Sequence, residues 1–124
     1  MMKVKLHIAV VDDDESVRES LPDLLQQVGY AAMAFGSAQE FLAFTGTADF
    51  ACLILDIAMP GMTGPELYGE LLRRGRVLPV IFITGHADAS LRSNLLRQGA
   101  AAVLNKPFSE GDLLSALTAA LPHA

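Results

Sequence analysis

Val10-Val11-Asp12-Asp13-Asp14-Glu15 runs an apolar stretch straight into four consecutive acids, and the use of those acids decides how the rest of the chain is read. Acids suit a helix start, where negative charge meets the positive end of the helix dipole and an Asp side chain accepts from free N–H groups. That use is enough for Asp14 and Glu15. Asp12 and Asp13 raise a second possibility, that the acids collect a cation, and the remaining strand ends decide between the two.

Five short apolar runs occupy residues 6–11, 31–35, 51–55, 80–83 and 101–104. Each has strand length, and the segments between them carry helical spacing. Val17, Leu21, Leu24, Leu25 and Val28 fall on one helix face, as do Leu91, Leu95 and Leu96. The boundaries are punctuated. Ser37 with Glu40 three residues on forms a capping-box pattern, and Ser109 with Asp112 repeats the cap. Pro65 follows Gly64 at a first-turn position where its missing N–H costs nothing, and Gly29 and Gly99 stand where helix C-caps belong. Pro22 fits badly, since inside the first helix it should remove a hydrogen bond and bend the chain.

Alternating strands and helices predict an α/β fold: one doubly wound, five-stranded parallel sheet with right-handed crossovers and helices on both faces. The length of 124 residues suits a single domain spanning 1–124. A composition 52% hydrophobic is natural for a parallel sheet buried on both faces. The net charge of −5, from 14 acids against 9 Lys and Arg, argues against a surface that tracks nucleic-acid phosphates. No apolar run reaches membrane length, and the first is too short for a signal-peptide core, so a cytoplasmic location is expected. The one cysteine, Cys52, has no partner for a disulfide and reads as a buried small hydrophobe.

In such a sheet, ligands bind outside the carboxyl ends of the strands. The first strand ends in Asp12 and Asp13, the third in Asp56, the fourth in Thr84, and the fifth, after Asn105, in Lys106. With strand order 2-1-3-4-5, three carboxylates, a hydroxyl and an ammonium converge on one edge. Carboxylates packed so closely raise one another's pKa, and a divalent cation relieves the conflict. Oxygen ligands favour Mg2+, held directly by Asp13 and Asp56 with Asp12 acting through water. Lys106 offers a point charge for a phosphoryl oxygen, Thr84 offers a donor, and Gly85 leaves room for the phosphoryl group to approach. The chemistry such a set supports is attack of the Asp56 carboxylate on phosphorus to give an acyl phosphate.

Taken together, VVDDD at 10–14, LILDIAMPGMTG at 53–64, ITGH at 83–86 and NKPF at 105–108 resemble the receiver domain of two-component response regulators, over essentially the whole chain. The ITGH and KPF runs look most like receivers that precede LuxR-class helix-turn-helix outputs. The resemblance implies a (βα)5, flavodoxin-like fold and a phosphorylation-activated switch. Asp56 would accept a phosphoryl group from a sensor histidine kinase and later lose it by slow self-catalysed hydrolysis. It further implies that Asp12 and Asp13 are the acid pocket, Thr84 and Lys106 the switch hydroxyl and lysine, and the Ala58 backbone carbonyl a third protein ligand of Mg2+. A cis Lys106-Pro107 peptide is expected. The signal would pass through the face of helix four, strand five and helix five to an output domain or a second copy, with no direct contact to nucleic acid or membrane, and Leu91, Leu95 and Val103 are candidates for that interface.

The chain departs from the family pattern at Val103, where an aromatic residue usually reports the switch by ring rotation. Backbone shifts are expected to replace it. Ala58 and His86 occupy positions that tune phosphoryl loss in the family, while His7 and His123 read as surface residues and Met59 and Met62 as loop packing. Two other readings compete. A haloacid-dehalogenase-type phosphatase would need a second Asp two residues after Asp56, where this chain has Ala58. A partner-binding receiver that is never phosphorylated would be marked by loss of an acid or the lysine, and all are present.

Overall fold

The computed structural model describes residues 5–44, 49–86 and 88–121. In chain order they form β1 (His7–Val11), α1 (Glu15–Gln27), β2 (Ala31–Phe35), α2 (Ala38–Ala43), β3 (Phe50–Asp56), α3 (Gly64–Arg73), β4 (Val80–Thr84), α4 (Ala89–Arg97), β5 (Ala102–Asn105) and α5 (Glu110–Ala120). All strand pairs are parallel, in the order β2-β1-β3-β4-β5. The predicted strands are present to within one residue at each end. Leu6 stays outside β1 and is exposed, while Asp56 and Thr84 are the last residues of their strands rather than the first of the loops.

The sheet is buried on both faces, which is why its strands are continuous apolar runs and not alternating ones. Ala9, Val11, Leu53, Leu55, Phe82 and Val103 point to one core with α2, α3 and α4. Ile8, Val10, Cys52, Ile54, Ile81 and Ile83 point to the other with α1 and α5. Each fully buried Leu or Ile contributes roughly 1.5–3 kcal/mol. Cys52 lies at 0% exposure, and burial pushes its thiol up to about 12.

Helix ends follow local chemistry. Asp14 caps α1 by accepting from the Ser16 N–H. Gly29 and Gly99 adopt positive φ after α1 and α4. In each case the next residue's N–H reaches back to a last-turn carbonyl, Tyr30 to Leu25 and Ala100 to Leu95. Ser109 and Asp112 form a full capping box on α5.

Two expectations need correction. Ser37 caps α2, but the Glu40 carboxylate accepts from the Gly36 N–H, so the box does not close. Helix α1 runs through Pro22, which lies inside it as expected, with Leu21 and Leu25 on either side anchored in the core. Leu95 and Val103, read as interface candidates, are 2% and 3% exposed and belong to the core, leaving only Leu91 half-buried. Met59 and Met62 pack into the same core as expected, His7 is exposed, and His123 lies outside the described residues.

Candidate functional site

The carboxyl edge of β1, β3, β4 and β5 gathers the site. Asp12 extends β1 by one bond, its N–H donating to the Phe35 carbonyl at 3.1 Å. This carries the side chain inward to 0% exposure. Oδ1 accepts from the Asp14 N–H at 2.9 Å, and Oδ2 is ion-paired with the Lys106 ammonium at 2.7 Å. Asp56 closes β3 and is 5% exposed, with Oδ1 3.5 Å from Lys106 Nζ. Asp13 lies on the exposed side. Asp12, Asp13 and Asp56 each present an oxygen within 4.8 Å of the others.

This crowding sets the protonation. The Asp56 carboxyl is pushed from 3.8 up to about 7, by burial first and then by the Asp12 charge, with Lys106 opposing. Burial acts to lower the Lys106 ammonium, but the Asp12 and Asp56 carboxylates outweigh it and hold it above the ordinary lysine range. One ammonium, paired with the two buried carboxylates, is set against a cluster of three. The set is oxygen-only and short of positive charge, so it fits a hard divalent cation such as Mg2+.

Thr84 ends β4 at 5% exposure. Its hydroxyl accepts from the His86 N–H at 3.2 Å and donates to the His86 carbonyl at 3.3 Å, so it is turned into its own loop. The Thr84 carbonyl accepts from the Lys106 N–H at 2.7 Å, joining hydroxyl and ammonium through one backbone bond. A Cβ on Gly85 would meet nothing within 4 Å, so the space beside Thr84 is open. Ala58 lies exposed two residues past Asp56. The Lys106-Pro107 peptide is cis. On the flank, Lys106 and Pro107 join Asp14, Val17, Leu21 and Phe108 around an apolar groove of about 550 Å3 that includes neither Asp13 nor Asp56.

Three further supports lie outside the candidate site residues that the sequence singles out. Arg18 donates to the Asp12 carbonyl at 3.1 Å. Thr63 and Glu66 close a full capping box at the start of α3, a Thr-x-x-Glu pattern that was there to find. Gly64 packs so closely on the Asp56 backbone that any Cβ would collide with its carbonyl oxygen, and nothing in the spacing signals that approach.

The sequence pattern of one family, described as the response regulator receiver domain, matches residues 8–118. Among curated relatives, nodulation protein W of Bradyrhizobium diazoefficiens is 42% identical over 116 residues, 94% of this chain and 51% of that protein. The transcriptional regulatory protein FixJ of Azorhizobium caulinodans is 41% identical over 120 residues, 97% of this chain and 57% of that protein. The chain thus spans about half the length of the curated relatives it matches. Among solved structures, FixJ-N superposes with a TM-score of 0.83 at 34% identity, covering 95% of this chain and 94% of that one. The response regulator StyR superposes at 0.85 with 40% identity, covering 95% of this chain and 60% of that one.

Proposed function

Because the chain belongs to the response regulator receiver domain family, whose members serve phosphorylation-dependent signalling, we propose that it is a switch that takes a phosphoryl group onto Asp56 from a phosphohistidine of a sensor kinase. One Asp56 carboxylate oxygen attacks phosphorus, the P–N bond to the donor imidazole breaks, and the imidazole nitrogen leaves with the bonding pair and takes up a proton. The product is an acyl phosphate. Lys106 neutralises charge on one phosphoryl oxygen, and Thr84 donates to another after giving up the His86 carbonyl. Asp13, Asp56 and the Ala58 carbonyl would hold Mg2+ directly, with Asp12 acting through water. When bound, the ion supplies positive charge against the phosphoryl oxygens. Attack of water on the acyl phosphate returns inorganic phosphate and the free carboxylate, resetting the switch.

The observation that carries this reading is the trio of carboxylates within 4.8 Å of one another, with Asp56 buried at a strand end beside Lys106. Relatives named as transcriptional regulators support a cytoplasmic role in gene control through an output domain or a second copy. We assign the signalling surface to α4, β5 and α5. No helix among the described residues is long and apolar enough to cross a membrane.

The direct test is intact mass after incubation with acetyl phosphate, with and without Mg2+. A single phosphoryl adduct requiring Mg2+ is expected, and its absence with a fresh donor and with phosphorylated kinase would sink the reading. Asp13→Ala is expected to weaken Mg2+ binding by at least about tenfold in calorimetry. Unchanged titration would place the cation elsewhere.

A further inference from the structure

Helix α4 is held very differently at its two ends. At the C-terminal end, the Tyr68 hydroxyl donates to the Gln98 carbonyl at 3.2 Å. The Ala100 N–H returns to Leu95, and the Ala101 N–H joins Val80. Leu95, in the second half of the helix, is the only one of its residues that is buried. The N-terminal end is held more lightly: Ala89 and Ser90 are exposed, and only half-buried Leu91 packs against the core.

Among the described residues, one side chain of that end hydrogen-bonds to the sheet. Arg92 closes the first turn, its N–H bonded to the Asp88 carbonyl. Its guanidinium donates to the Val103 carbonyl of β5 at 2.5 Å. A charged donor on a half-buried carbonyl is among the stronger hydrogen bonds. The same end of α4 is joined through the short loop after Thr84 to the hydroxyl that His86 now occupies from both sides. Thr84 can donate to a phosphoryl oxygen only by abandoning the His86 carbonyl, which loosens His86, two residues before the Asp88 cap of α4. The Arg92–Val103 bond resists the resulting movement.

We propose that Arg92 is a positioning residue: its guanidinium latches the first turn of α4 to β5 and sets how readily Thr84 turns from His86 to the phosphoryl group. This rests on the phosphorylation reading above. It explains how a chain with an aliphatic Val103 can couple the site to α4 and β5, through a side chain on the opposite element. The latch is a bias on a two-state element, so its removal shifts the balance toward the phosphoryl-engaged state.

The test uses Arg92→Met, which keeps the apolar stem and loses every donor, with Arg92→Lys as the conservative variant. The probe is beryllofluoride with Mg2+, a phosphoryl mimic of the kind present in the activated receiver domain DrrB. Arg92→Met is expected to bind beryllofluoride about three- to tenfold more tightly than the wild type. Arg92→Lys should fall between them, and Mg2+ affinity without the mimic should be unchanged. A merely structural loss would not tighten the mimic. Equal or weaker binding by Arg92→Met, while the wild type binds, overturns the latch and leaves the phosphorylation reading intact. Failure of the wild type itself to bind the mimic removes both. Should Arg92→Met not fold, Arg92→Lys carries the test alone, with wild-type affinity as the result against the proposal.

Discussion

Replacing Asp56 with asparagine is expected to abolish phosphoryl uptake outright and, at the same time, to make the fold more stable above neutral pH. The first effect follows because an amide is no nucleophile toward phosphorus. A retained adduct on the variant would place the acceptor at another residue. The second follows from the charge crowding. The folded-state pKa of Asp56 is raised from 3.8 to about 7, so between those values the folded chain holds a proton that the unfolded chain has lost. Stability contributed by this group therefore falls as pH rises through that window, and the full cost is present above it. A shift of this size corresponds to about 4 kcal/mol at most. That figure already includes the opposing pull of Lys106; because Asp13 and Lys106 reach water at this edge, solvent screening reduces the gain to about 1–2 kcal/mol, or roughly 3–8 °C in melting temperature. The gain should appear at pH 8, vanish below pH 4 and shrink when Mg2+ stabilises the wild type. Thermal melts across that range check all three, and a variant less stable than the wild type at pH 8 would contradict the account of the site as electrostatically strained.

A second large effect is expected from a single methyl group placed beyond the acids. Gly64 begins α3, and its N–H donates to the Ile57 carbonyl at 3.0 Å. An added Cβ would run into the Asp56 carbonyl oxygen and lie 3.0 Å from both the Asp56 carbonyl carbon and the Ile57 Cα. These are backbone atoms and cannot swing aside, so either α3 or the end of β3 must move. Gly64→Ala should cost about 3 kcal/mol, lowering the melting point by roughly 10 °C, and should slow phosphoryl uptake because Asp56 moves with its backbone. Gly69→Ala in the same helix is the control of opposite sign. Its Cβ would meet nothing within 4 Å, and exchanging glycine for alanine inside a helix is worth about 0.5–1 kcal/mol in stability. Equal behaviour of the two variants would show that the close approach at Gly64 does not matter.

Most of the architecture could be read from residue order because a parallel sheet writes its strands as apolar runs and its helices as periodic ones. Asp12, Asp56, Thr84 and Lys106 were legible for the same reason: each follows or ends such a run, and topology alone brings those ends together. Where the reading missed, the deciding contact was between segments distant in sequence or between competing local partners. Glu40 had two backbone N–H groups within reach and took that of Gly36 rather than Ser37. Val103 and Leu95 looked like surface on a short edge strand and a sparsely apolar helix, but they are buried against each other's elements and Phe82. Arg92 carried no signal at all, since an arginine on a short polar helix reads as solvated until its partner, a backbone carbonyl, is seen.

The burial of Cys52 has a practical corollary. A thiol at 0% exposure, pushed up to about 12, offers almost no thiolate to an alkylating reagent while the sheet is closed. As the sole sulfhydryl in the chain, it makes the molecule its own stopwatch. The rate at which it is labelled in native buffer counts openings of the central strand, and anything gripping the acid edge should slow that clock by the factor with which it favours the closed state.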